Sequence, residues 1–283
     1  MITAFIDSVA VSGPGMAHWQ EAAAVLRNPS GWVTTGVVRD NVAGITAAEQ
    51  RRTTPLIRLA LQVAAQLSAA STLDLAKATA VFATSWGDSQ VVENVLATLP
   101  VPGSPVSPLH FHNIVHNTPA GYWSVGAGAR GVSTSLTDAD CTVAAGLLEA
   151  FVCLANADRP VLFVCFDRPL PASWDQFHHI EAPFAAAMTL TAKPTDRCRH
   201  ALRLATVPHS AESRMAEPQL ESLRTANPAA RVLPLLGAVA AGSGRAVLAS
   251  SIGGSSIAVD VWPVVPDAGL VTEVTRATDS LPA

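Results

Sequence analysis

The chain is short of charge. Of its 283 residues only 14% are Asp, Glu, Lys or Arg, 49% are hydrophobic, and the formal net charge is −4. Globular domains ordinarily carry about 25% charged residues, so this composition implies large apolar faces, some of them covered by another subunit. No excess of positive charge marks a nucleic-acid footprint. High hydrophobicity with a small net charge excludes a disordered chain. No uninterrupted apolar run reaches the roughly 18 residues of a membrane helix, so no span is expected. The start, Met1-Ile2-Thr3-Ala4-Phe5-Ile6-Asp7, lacks the basic region, apolar run and cleavage site of a secretory signal. The four cysteines, Cys141, Cys153, Cys165 and Cys198, are too few for a dense disulfide framework, and none forms a C-x-x-C pair. These absences together predict a reduced, cytoplasmic, soluble protein.

What is present alternates helix and strand. Ile2–Ile6 reads as a short strand that ends at the turn formers Ser12-Gly13-Pro14-Gly15. A helix through Trp19–Leu26 stops at Asn28-Pro29, since proline cannot continue the ladder. Thr53-Thr54-Pro55 is a cap followed by proline in a first turn, and Leu56, Leu59, Val63 and Leu67 recur at helical spacing behind it. Thr79–Ser85 is a buried strand, followed by a helix around Val91–Leu96. Pro102, Gly103, Pro105 and Pro108 then punctuate an extended connection. Ala139–Leu154 is a helix of small apolar residues packed on several sides, and Val161–Phe166 is a continuous apolar strand suited to a sheet covered on both faces. Further strands are expected at Phe184–Leu190 and Leu202–Ala205, a helix at Glu217–Arg224, and a terminal hairpin of Ala246–Ala249 with Ile257–Trp262. The helix–strand–helix order favours a layered α/β architecture in one domain.

Three groups of residues invite chemistry. His110, His112 and His116 suggest a metal site, but His112 and His116 share a face only on a helix, and Pro108 and Pro119 leave little room for one. Packing or a polar interface is the better reading, and no metal or cofactor is expected. Gly126-Ala127-Gly128-Ala129-Arg130-Gly131 has dinucleotide-loop spacing but no first strand before it, so it reads as a turn. There is no G-x-S-x-G elbow for a serine hydrolase. Cys141 stands at the start of the small-residue helix, where the helix dipole lowers a thiol pKa. Asp138 and Asp140 flank it and act in the opposite sense.

Several of these segments resemble a family. Ala80–Gly87, Ser107–Phe111, His116-Asn117-Thr118-Pro119-Ala120-Gly121-Tyr122 and Gly126–Leu136 leading into Asp138–Gly146 are similar to the N-terminal half of β-ketoacyl synthases. The similarity is to the short chain-length-factor type found in aryl polyene biosynthesis, and it covers roughly Ile2–Asp167. It implies a thiolase-like fold: a layered mixed sheet with a buried helix and a truncated second half. The implied organisation is a single ketosynthase-like domain over residues 1–283, with 1–167 resembling the ketosynthase N-terminal half and 168–283 a divergent remainder.

Active members of that family carry a nucleophilic cysteine before the buried helix and two histidines from the C-terminal half. Helix-to-strand spacing in the family puts the nucleophile position at Asp140, with Cys141 one residue late and turned by about 100°. His178, His179, His200 and His209 do not stand in the family's histidine motif, and its asparagine-phenylalanine-glycine loop is missing. The implied function is a non-catalytic subunit that pairs with an active β-ketoacyl synthase and meets an acyl carrier protein through the complex. The expected interface or tunnel residues are His112, His116, Asn117, Tyr122, Trp123 and Thr142. The alternative is a self-sufficient acyltransferase with Cys141 as nucleophile and His112 or His116 as base. A small-molecule binding module without an acyl partner is a third possibility.

Overall fold

The computed structural model describes residues 2–32, 46–100, 102–156 and 158–264. In chain order the elements are β1 (Thr3–Ser12), α1 (Trp19–Arg27), α2 (Ala47–Gln50), α3 (Pro55–Ala70), β2 (Thr79–Ala83), α4 (Ser89–Thr98), α5 (Pro108–Asn113), α6 (Thr118–Ala127), β3 (Ser133–Leu136), α7 (Thr142–Asn156), β4 (Val161–Asp167), β5 (Phe184–Thr191), β6 (His200–Pro208), α8 (Pro218–Ala226), α9 (Leu233–Ala241), β7 (Gly244–Ala249) and β8 (Ser255–Pro263). The eight strands form one mixed sheet in the order β3-β2-β4-β5-β1-β6-β8-β7. β2, β3 and β4 run parallel, and the remaining pairings are antiparallel.

The sheet is covered on both faces, which is why β4 has no polar face. Leu162, Val164 and Phe166 join a core with α3 and α6, while Val161, Phe163 and Cys165 join a second core with α7 and α9. Residues of β6, β7 and β8, among them Leu202, Leu248 and Val259, belong to that second core too. Helices α7 and α9 therefore lie between the central strands and the β6–β8–β7 extension. The small residues of α7 have a steric cause. A Cβ at Gly146 would sit 2.7 Å from the Phe163 ring and 3.0 Å from Ala83, so only glycine lets α7 approach β2 and β4 this closely.

Helix α7 with its preceding turn, Ala139–Asn156, is long and apolar enough to cross a membrane by length and composition. Eight of its residues are nevertheless packed in the interior, including Val143, Leu147 and Phe151. Apolar character all round is what a core helix needs as much as a membrane helix does.

The sequence reading needs correction between residues 102 and 127. Pro108 and Pro119 do not exclude helices; each stands in the first turn of one. Proline lacks only an N–H that the first turn leaves unbonded anyway, and its fixed φ suits helix entry. Gly128 closes α6 with φ +63, a left-handed conformation that glycine adopts without strain, so the glycine-rich run is a helix end. β1 also runs further than expected, to Ser12, because β5 pairs along its second half. The short turn Pro228–Val232 and α9 have no counterpart in the sequence reading.

Candidate functional site

The parallel strands β2, β3 and β4 end together, and the chemistry-bearing residues gather at those ends. After β3 the chain makes a tight 3-10 turn, Ala139–Cys141, before entering α7. Ala139 has φ +45 and is the only non-glycine with positive φ among the described residues. The left-handed region costs an L-residue roughly 1–2 kcal/mol, so the surroundings must hold it. They do: Thr142 Oγ1 accepts the Asp138 N–H at 2.8 Å and donates to the Ala139 carbonyl at 2.7 Å. Ser85, from the end of β2, donates to the same carbonyl at 2.7 Å. Asp138 is tied from the far side by Ser251 Oγ at 2.6 Å. Thr142, an expected tunnel residue, is thus a buried structural member of this elbow.

Asp140 occupies the next position of the turn, and its side chain is about half exposed. Its Oδ2 lies 2.9 Å from Arg231 Nη2. Arg231 Nη1 reaches Glu212 Oε2 at 2.9 Å, and Glu212 in turn meets Arg224 at 3.0 Å. Arg224 is buried and holds Glu221 through two bonds of 2.8 Å. Residue 140 therefore heads an alternating chain of charges that staples the elbow to the segment 212–231.

Cys141 departs from the expectation of a lowered pKa. Partial burial raises it first, and the carboxylates of Asp138, Asp140 and Glu212 add to that, with only Arg231 acting to lower it. The residue precedes α7 instead of standing within its first turn, so the dipole does not dominate. A thiol held protonated is a poor nucleophile at neutral pH.

Asp167, at the end of β4, closes the floor. Its Oδ1 accepts from Thr84 Oγ1 at 2.9 Å, Ser85 N–H at 3.0 Å and Trp86 N–H at 3.2 Å. Complete burial pushes its pKa up to about 7 in spite of those bonds. It fixes the chain at the end of β2 and does not reach the solvent.

The other expected residues divide. His112, Asn117 and Tyr122 come together along a groove of about 570 Å³ on the outer side of α5 and α6, with Val115 and Val125 in its wall. The His112 ring meets Tyr122 edge-on at 5.9 Å. His116 turns inward, partly buried beside Gly87. Trp123 is 6% exposed and packs on Phe82 at 6.2 Å, so it belongs to the core and not to the outer face of α6. The three histidines do not converge. Among the described residues no three His, Cys, Asp or Glu side chains are placed to hold a metal. Sequence reasoning misses Arg231, Glu212 and Asp167; Arg231 in particular has no local signal, since it meets Asp140 only through the fold.

An elbow at the ends of parallel strands, leading into a helix buried against a mixed eight-stranded sheet, is the architecture of a thiolase-like ketosynthase fold. The chain matches the β-ketoacyl synthase N-terminal domain over residues 18–237 and belongs to that family. It is similar in structure to a chain of the ketosynthase ApeO in complex with its chain length factor ApeC from Xenorhabdus doucetiae, with TM-score 0.70 and 19% identity over 92% of this chain and 100% of that one. The ishigamide ketosynthase/chain length factor gives TM-score 0.68 and 12% identity over 93% and 100%. A chain of the AntDE:AntF assembly, a type II polyketide synthase acyl-carrier protein in complex with its ketosynthase, gives 0.71 and 11% over 93% and 99%. No curated protein matches the sequence.

Proposed function

We propose that this protein is a non-catalytic subunit of chain-length-factor type, paired with an active β-ketoacyl synthase in polyene, polyketide or fatty-acid-type chain elongation. The observation that carries the reading is the elbow. Its tight turn carries Asp140 at the position the family resemblance gives to the nucleophile, and that carboxylate is held by Arg231. A carboxylate so engaged cannot take an acyl chain as a thioester, and the neighbouring Cys141 thiol is held protonated.

The surface supports a partner. From Asn94 to Ala129 the sequence contains no Asp, Glu, Lys or Arg. Leu96, Leu99, Leu109, Phe111, Val115 and Val125 from this stretch are exposed. Interface centres are depleted of charge and enriched in aromatic and large apolar groups. In this reading the groove of His112, Asn117 and Tyr122 faces the active subunit, and the growing chain runs along it. The acyl carrier protein is met through the pair, no cofactor is needed, and the working compartment is the cytoplasm. Residues 1–283 act as one ketosynthase-like domain whose second half is divergent; residues 265–283 of that half lie outside the described part.

Co-expression with a β-ketoacyl synthase from the same genome tests the proposal. A stable complex that elongates malonyl units, with neither subunit active alone, is the expected result. Elongation by this chain alone would overturn it in favour of Cys141.

A further inference from the structure

A small enclosed space lies between the groove and the elbow, and its polar atoms are unmatched. Asn113 ends α5 and is 4% exposed. Its Nδ2 donates to the Arg52 carbonyl at 2.9 Å, which fixes the orientation of the amide. The other end of that amide, Oδ1, is buried with no protein partner. His116 Nε2 is buried and without a protein partner as well. Both residues line one cavity of about 10 Å³, closed by Ile57, Pro119 and the turn after β2 with Thr84 and Asp88.

Leaving two such atoms dry carries the full desolvation penalty of each group. A space of roughly 10–15 Å³ holds one water and nothing larger, and water enters where several polar groups face it. An apolar void would stay empty, but this one is walled by an amide, an imidazole, a hydroxyl-bearing residue and a carboxylate-bearing residue. We infer that the cavity is a binding site for one structural water molecule, bridging Asn113 Oδ1 and His116 Nε2.

The hydrogen-bond roles follow from the groups. An amide oxygen only accepts, so the water donates one hydrogen to Asn113. Burial lowers the His116 pKa, and the neutral ring offers Nε2 as a single further partner. The water has one hydrogen left, and Thr84, whose own hydroxyl hydrogen goes to Asp167, offers an acceptor for it in the cavity wall, so the water joins the α5–α6 pair to the end of β2. This inference is independent of the catalytic status of the protein.

A crystal structure of the full chain, alone or with its partner, at about 1.8 Å or better tests it. The expected result is one fully occupied water peak within about 3.2 Å of both atoms. An empty cavity, or a side-chain arrangement that pairs the two atoms with protein groups, overturns the site. In His116→Phe the peak is expected to vanish, with His116→Gln retaining it. A peak that persists in His116→Phe shows the water to be held by other groups and contradicts the bridge. Asn113→Leu gives the same reading if it folds, and the histidine pair keeps the question decidable if it does not.

Discussion

The elbow and the α4–α6 face are built in opposite ways. Around the elbow, the carboxylates of Asp140, Glu212 and Glu221 are tied together by Arg224 and Arg231, and the tight turn is braced by Ser85 and Thr142. On the α4–α6 face no charged residue occurs over the whole stretch from Asn94 to Ala129, and large apolar side chains face outward. A site that turns over substrate needs a reactive group at its tip and some freedom around it. Here Asp140 is held by Arg231 and the α4–α6 stretch presents apolar side chains outward, the two features on which the proposed non-catalytic role rests.

The sharpest way to break this contrast is to add charge to the stretch that has none. Val125→Asp on α6 puts a carboxylate into a groove wall that also holds Glu49 and Arg52, and it is expected to weaken pairing with the active ketosynthase at least about 10-fold, because the added charge would have to be desolvated. Val125 is 70% exposed, so the isolated chain should melt as the wild type does. Unchanged pairing in a pull-down or titration would move the interface elsewhere.

The next effect concerns the floor of the elbow. Burial raises the Asp167 pKa to about 7, so the folded chain binds that proton more tightly than the unfolded one. Stability from this group is therefore greatest at low pH, falls as pH rises from about 4 to about 7, and then levels off. A tenfold change in proton affinity corresponds to about 1.4 kcal/mol, so the loss is on the order of 2–4 kcal/mol. Asp167→Asn keeps an acceptor for Thr84, Ser85 and Trp86 and should flatten the profile between about pH 4 and pH 7. An equal slope in both proteins, measured by denaturant unfolding, would show that other groups carry it.

Cutting the charge chain should cost less. Arg231→Met leaves Asp140 half exposed and Glu212 still bound to Arg224. A loss of about 1–2 kcal/mol is expected, with pairing retained. If Arg231→Met instead abolished pairing while the fold survived, the elbow would be part of the interface. The smallest effect should be that of Cys141→Ala, below about 1 kcal/mol in stability and without change in the turnover of the complex, as for a part-buried thiol of no chemical role.

Product length sharpens the comparison further. Tyr122→Ala opens the groove, and a change in released chain length with pairing retained would assign the measuring role to the open face. Thr142→Phe is no counterpart, because Thr142 is buried and its Oγ1 braces the turn. Trp123→Ala is unsuited to this use, because the ring is a core group packed on Phe82 and its loss would cost about 3–5 kcal/mol in stability.

Much of the frame is legible in the sequence for local reasons. Thr54 caps α3 through its side chain, with proline just behind it, and β4 declares its burial by an apolar run with no polar face before Asp167. The family resemblance points to the segment before α7, and a tight turn, Ala139–Cys141, stands there. Local signals fail where the physics is not local. The prolines at 108 and 119 read as breakers because nothing in the sequence marks which turn of a helix they occupy. Arg231 pairs with Asp140 from a distant part of the chain, and Trp123 faces inward only because Phe82 stands opposite. Asp167 looks like a strand end; its raised pKa comes from the layers that cover it.

The central claim is that this chain carries no acyl group. Intact-mass analysis of the reconstituted pair after incubation with an acyl-carrier thioester tests it directly. The account predicts an acyl adduct on the partner ketosynthase and an unmodified mass for this chain, in the wild type and in Cys141→Ala alike. An adduct on this chain that disappears in Cys141→Ala would contradict it and make Cys141 the nucleophile.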